Sequence, residues 1–107
     1  MQTISRKQTE ELVSDDSVAV VDVLSADNFD DYHLPGAINV PLGERFDEQI
    51  QQVVPDKSTP VLVYCYDTEC NASPKAAQRL DKLGYETVYD YEGGKVDWKE
   101  AGLPVEQ

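Results

Sequence analysis

Two cysteines and a single histidine carry most of the nucleophilic and redox chemistry open to this chain. Cys65 and Cys70 are separated by four intervening residues in the stretch Cys65-Tyr66-Asp67-Thr68-Glu69-Cys70-Asn71-Ala72-Ser73. A thiolate is a nucleophile and a carrier of sulfur, and thiols that meet can exchange with disulfides. The bland alternative for Cys65 is a core filler, since free cysteine is among the most buried residue types. Two cysteines and one histidine cannot complete a four-ligand zinc shell without well-placed carboxylates, so neither metal nor cofactor is expected. His33, beside Pro35-Gly36, reads as a turn residue bonded to backbone, because the sequence places no acidic partner for it.

The elements around these residues alternate in type. Val18-Ala19-Val20-Val21-Asp22-Val23 and Pro60-Val61-Leu62-Val63-Tyr64 are near-continuous apolar runs that suit strands buried on both faces. The second run leads straight into Cys65. Ala37 to Val40 and Glu86 to Tyr89 read as shorter strands. Helices are predicted after Ser5, within Asp27 to Tyr32, over Glu44 to Val54, after Ser73-Pro74 and after Gly93-Gly94. Phe46, Ile50, Val53 and Val54 recur at helical spacing. Ser73 reads as the N-cap and Pro74 as the first helical residue, with Gly84 closing that helix. Strands alternating with helices predict an α/β domain with a mainly parallel sheet. Reactive residues of such sheets sit beyond the carboxyl ends of strands, which is where Cys65 falls. A helix starting just after it presents unpaired amides and a partial positive charge, which stabilise a thiolate or a bound anion.

The chain of 107 residues has 21 acidic and 9 basic side chains, a formal charge of −12. That length predicts one domain, residues 1–107. The charge opposes nucleic-acid phosphates and anionic lipid surfaces, so neither partner is expected. Pairs such as Asp15-Asp16 and Asp30-Asp31, with Glu44, read as a solvated face. No apolar signal segment or membrane-length run is visible, and cytoplasmic residence is the expectation. Trp98 and most tyrosines read as core and rim residues, while Tyr66 is placed to wall a pocket.

The residues also carry a resemblance. Val21-Asp22-Val23, Phe29 and His33-Leu34-Pro35-Gly36-Ala37-Ile38-Asn39-Val40-Pro41 resemble the front signature of rhodanese-like domains. Val63-Tyr64-Cys65, with Ser73, Lys75-Ala76-Ala77 and Leu80, resembles their active-site loop and following helix. Gly84-Tyr85, Gly93-Gly94, Trp98 and Gly102-Leu103-Pro104-Val105 resemble their C-terminal signature. The resemblance implies a three-layer α/β fold with a central, mainly parallel sheet flanked by helices. It also implies a sulfurtransferase in which Cys65 takes sulfane sulfur from a thiosulfate-type or persulfide donor and passes it to a thiol or cyanide-like acceptor. A protein can serve as donor or acceptor. Cys65 is then the catalytic residue, and Tyr66, Asp67, Thr68, Glu69, Asn71, Ala72 and Ser73 form the active-site loop.

Several residues depart from the family pattern. The loop is about two residues longer than in many rhodaneses and resembles a subgroup with a second cysteine followed by Asn. It holds no Arg or Lys, whereas Asp67 and Glu69 bring negative charge, and Leu24 stands where the family usually has Arg. Like charges 4 Å apart repel by about 1 kcal/mol in water and about 4 kcal/mol at an effective dielectric of 20. A neutral donor or a protein-borne persulfide therefore fits better than thiosulfate, and oxyanion chemistry needing a loop Arg does not fit. Cys70 keeps three readings: a resolving thiol that releases sulfide and leaves a disulfide, a loop element valued for its amide, or itself the nucleophile. Two rival functions stand beside sulfur transfer: a non-catalytic binding module using the same loop, and a Cys65/Cys70 dithiol redox protein.

Overall fold

The two β-branched runs become neighbouring strands at the middle of one sheet. The computed structural model describes residues 1–107 in the order β1 (Gln2–Thr3), α1 (Arg6–Val13), β2 (Ala19–Asp22), α2 (Ala26–Asp31), β3 (Ile38–Asn39), α3 (Phe46–Val53), β4 (Val61–Tyr64), α4 (Ala72–Leu83), β5 (Val88–Tyr91) and α5 (Gly94–Glu100). The strands are ordered β1-β5-β4-β2-β3, and every pairing is parallel. The expected mainly parallel sheet is thus parallel throughout. β4 is central, buried along its whole length, with Val61 to Tyr64 facing Ala19 to Asp22 on one side and Val88 to Tyr91 on the other.

Side chains alternate across the sheet and divide the core into two layers. Val21, Val61 and Val63 pack with Phe46 and Ile50 of α3 and with Ala76, Ala77 and Leu80 of α4. Val20, Leu62, Tyr64 and Tyr91 pack with Trp98 of α5, and Leu12 and Val13 of α1 lean against them. Fully burying one such Val, Leu or Ile contributes roughly 1.5–3 kcal/mol, so both layers hold the central strand in place.

Some boundaries differ from the sequence reading. α4 begins at Ala72 with Asn71 at its cap, not at Ser73. Ser73 turns its side chain into the core instead of capping, and Pro74 then falls in the first turn, where a missing N–H removes no helical bond. β5 is displaced towards the C-terminus from the predicted Glu86–Tyr89, because Val88 is the residue in register with Val61. Glu86 instead donates its amide to the Lys57 carbonyl at 3.0 Å. β1 went unrecognised, since two exposed polar residues carry no pattern. Val53 lies outside the predicted apolar stripe of α3, being exposed to solvent.

Candidate active site at the end of the central strand

Cys65 is the first residue beyond β4 and is only 1% exposed. Its sulfur is bonded to that of Cys70, with the two Cα atoms 6.4 Å apart. Cys65 belongs to the core layer shared with α4, and Cys70 and Ala72 pack against the same layer. The filler and chemical readings of Cys65 therefore coexist: it is a core residue whose sulfur meets a second sulfur.

Residues from the other end of the chain clamp the loop. The amides of Lys95 and Val96, in the first turn of α5, donate to the carbonyls of Cys65 at 3.0 Å and Tyr66 at 2.9 Å. First-turn amides have no helical acceptor of their own, so the loop satisfies them. Gly94 lies so close that a Cβ there would come 2.5 Å from the Tyr66 carbonyl oxygen and 2.8 Å from the Asp67 nitrogen. Its φ of +73° is also one that side chains resist. Within the loop, the Asp67 carboxylate accepts the Glu69 amide at 3.1 Å, and the Asp67 carbonyl accepts the Cys70 amide at 3.2 Å. The amides of Tyr66, Asp67, Thr68 and Asn71, and those of Ala72 and Ser73 opening α4, donate to no protein acceptor. These donors can meet negative charge on sulfur.

Around this backbone the side chains are mostly acidic. Glu69 is exposed, and half-buried Asp67 lines a shallow cleft of about 220 Å³ with Thr68, Gly93, Val96, Asp97 and Glu100. Tyr66 is 44% exposed, so it forms an outer wall and not an enclosed lid. Lys95 supplies a cation that the loop lacks in sequence. Fully buried, it donates to the carbonyls of Asn28 at 2.6 Å and Tyr32 at 3.0 Å, with its ammonium 5.8 Å from the centre of the Tyr66 ring. Burial lowers its pKa, opposed by the charges of Asp22 and Asp31.

Two buried carboxyls lie at the ends of the strands flanking β4. Asp22 caps the turn after β2 by accepting the Leu24 amide at 2.9 Å, and its other oxygen has no partner. Burial raises its pKa, against the opposing effect of that amide and of the Tyr64 hydroxyl. The Tyr64 hydroxyl accepts the Leu34 amide at 3.1 Å, and burial raises its own pKa. Asp90 is buried beside Ser73, and neither of its oxygens nor the Ser73 hydroxyl has a hydrogen-bond partner. Burial raises Asp90 as well; Ser73 acts in the opposite direction and Glu92 in the same one. His33 bonds backbone as expected, with Nδ1 2.8 Å from the Phe29 carbonyl and the ring stacked on Phe29. It lies, however, in an antiparallel bridge with Glu106 and not in the turn, and the Glu106 carboxylate 3.9 Å from Nε2 is an acidic partner from the far end of the chain. Trp98 is in the core, donating to the Pro104 carbonyl at 2.7 Å.

Known proteins share this fold. The family profile described as the rhodanese-like domain matches residues 5–101. The chain belongs to the rhodanese-like family. As such a domain it is 34% identical over 96 residues to the thiosulfate sulfurtransferase GlpE of Tolumonas auensis, covering 90% of this chain and 86% of GlpE. It is 36% identical over 103 residues to the uncharacterised protein slr1261 of Synechocystis sp., covering 96% of this chain but only 55% of that protein. The chain thus spans about half the length of that relative. The crystal structure of BH2092 from Bacillus halodurans superposes with a TM-score of 0.87 at 26% identity, covering 98% of this chain and 76% of that one.

The structure gathers Cys65, Cys70, Tyr66, Asp67, Thr68, Glu69, Asn71, Ala72 and Ser73 into one loop and the helix start after it. What the sequence reading lacked is the underside of this rhodanese loop. Lys95, Asp90 and the contact made by Gly94 arrive from β5 and α5, and the Gly93-Gly94 pair was the only local signal of them.

Proposed function

We propose that this domain is a sulfurtransferase that carries sulfane sulfur as a persulfide on Cys65. The observation that supports the reading most is the position of Cys65: a sulfur held at the end of the central strand, followed by a loop in which the amides of Tyr66, Asp67, Thr68 and Asn71 have no protein acceptor. In the first step the Cys65 thiolate attacks the sulfane sulfur of the donor. An S–S bond forms on Cys65, and the donor leaves with the electron pair, as sulfite from thiosulfate or as a thiolate from a persulfide. In the second step an acceptor nucleophile takes the terminal sulfur, and the Cys65 thiolate departs. Covalent transfer splits one displacement into two. The free amides stabilise the negative charge that develops on sulfur in both. The GlpE relative carries a thiosulfate sulfurtransferase name, whereas Asp67 and Glu69 favour a neutral or protein-borne donor here.

The test is intact mass of the reduced protein after incubation with thiosulfate or glutathione persulfide. Cys65→Ser is expected to take up no sulfur while keeping its fold, and Cys70→Ser to hold the one-sulfur adduct. Loss of the adduct in Cys70→Ser with retention in Cys65→Ser would move the nucleophile to Cys70. A folded, reduced protein that takes sulfur from neither donor would leave a binding module in place of an enzyme.

A further inference from the structure

The loop that presents Cys65 also holds a thiol able to discharge it. The Cys65–Cys70 bond coexists with every clamp on the loop: the α5 amides on the carbonyls of Cys65 and Tyr66, the Asp67 turn and the Gly94 contact. The disulfide state is thus compatible with all of these clamps. A Cα separation of 6.4 Å falls within the roughly 4.4–6.8 Å span of protein disulfides. The amide of Cys70 is fixed on the Asp67 carbonyl, and its side chain packs on the core layer that contains Cys65. An external acceptor, by contrast, must reach a sulfur that is almost wholly buried, in a loop whose Asp67 lines an acidic cleft with Asp97 and Glu100. Such a cleft repels the anionic nucleophiles, thiolates included, that usually take up sulfane sulfur.

We propose that Cys70 resolves the loaded Cys65: it attacks Cys65 within the same chain, so that the domain releases sulfide and ends the half-reaction as the Cys65–Cys70 disulfide. This rests on the reading of Cys65 as persulfide carrier. The Cys70 thiolate attacks Sγ of Cys65, forming the Sγ–Sγ bond. The bond from Cys65 Sγ to the terminal sulfur breaks, and that sulfur leaves as hydrosulfide with the electron pair, taking up the proton released from Cys70. The sulfane sulfur is reduced, and the two cysteine sulfurs are oxidised. The cycle closes with a dithiol reductant, protein or small molecule, which exchanges through a mixed disulfide and restores both thiols. The partner class implied is a dithiol reductant in place of a cyanide-like acceptor. Holding both sulfurs in one loop replaces a bimolecular encounter by an intramolecular one.

A single-turnover experiment decides it. Full-length protein is reduced, freed of reductant, and mixed without added thiol with thiosulfate at high ionic strength, or with glutathione persulfide. Sulfide, intact mass and the disulfide-linked peptide are followed. Wild type is expected to release one sulfide per chain, retain no adduct and lose the mass of two hydrogens. Cys70→Ser is expected to hold the one-sulfur adduct and lose the sulfide burst entirely, and Cys70→Ala to behave in the same way. Wild type that keeps its adduct, with both thiols of the peptide unlinked until an external thiol is supplied, overturns the intramolecular step but leaves Cys65 transfer standing. Absence of any adduct on folded Cys70→Ser and Cys70→Ala from both donors overturns the transfer reading and this step with it.

Discussion

Replacing Gly94 by alanine separates the backbone strain at this glycine from its contact with the loop. The φ of +73° places any residue with a Cβ in the left-handed region, at a cost of roughly 1–2 kcal/mol. The added Cβ would also sit 2.5 Å from the Tyr66 carbonyl oxygen and 2.6 Å from its carbon, both backbone atoms that cannot rotate away. The loop must retreat, weakening the Lys95 and Val96 bonds to the Cys65 and Tyr66 carbonyls, each worth about 0.5–1.5 kcal/mol net. Alanine recovers about 0.4–1 kcal/mol by restricting the unfolded chain. The balance is a loss of about 2–4 kcal/mol, which at roughly 4–8 °C per kcal/mol lowers Tm by about 8–32 °C. Gly84→Ala is the control: its φ is +95°, but nothing lies within 4 Å of the added Cβ, so only the backbone cost applies, about 1 kcal/mol. Thermal unfolding of the two variants by circular dichroism gives the difference. Sulfur loading of Cys65 at a temperature where both are folded should fall in Gly94→Ala alone. Equal losses of stability, with loading unchanged in both, would refute the claim that Gly94 sets the position of the loop.

Three further outcomes follow from particular residues. Asp90 is raised above its unfolded pKa, so the folded state binds the extra proton and stability falls as pH rises out of the ordinary carboxylate range; Asp90→Asn should flatten part of that slope in Tm measured from pH 3 to 8, as about one proton's linkage, with Asp22 sustaining the rest. The pair Asp67→Asn and Glu69→Gln keeps an acceptor for the Glu69 amide while removing two charges; it should raise kcat/KM for thiosulfate by about threefold to tenfold at low salt, less at high salt, and salt-insensitive wild-type turnover would count against an electrostatic barrier. The Tyr85 hydroxyl donates to the buried Val54 carbonyl at 2.5 Å, so Tyr85→Phe should cost about 1–2 kcal/mol in denaturant unfolding and leave sulfur loading of the folded protein unchanged.

The legible parts of this fold are those where one short segment states its own role. Val18–Val23 and Pro60–Tyr64 announce buried strands, Gly84 closes α4 in the left-handed region as expected, and Cys65 stands out because a reactive type follows a buried run. Less legible were features that exist only through pairing. Gln2 and Thr3 become a strand because Tyr89 and Asp90 lie beside them. The strand read over Glu86 to Tyr89 stops short of Asp90, which is wholly buried, and no local pattern signals that burial. Ser73 fits the pattern of a cap until the loop length lets the helix start two residues earlier, turning it inward. Lys95 is an ordinary surface type in sequence. Only the meeting of α5 with α2 buries its ammonium against the carbonyls of Asn28 and Tyr32.

That the loop at Cys65 is clamped by residues 94–96 bears on how the protein is made. Synthesis proceeds from the N-terminus at about 5–20 residues per second, so Lys95 and Val96 are added roughly 2–6 s after Cys65. During that interval β4 has neither β5 beside it nor the α5 amides for its carbonyls, and the nascent thiol is exposed to whatever oxidant or electrophile the translating cell contains. The sheet's far edge waits equally long, since β1 pairs with β5, almost the full length of the chain away. A reactive cysteine placed at mid-chain but secured from the C-terminal end is protected only when translation of the domain is almost complete. Premature termination between residues 66 and 93 therefore yields a product whose thiol is present, unsheltered and unable to hold the geometry its chemistry needs.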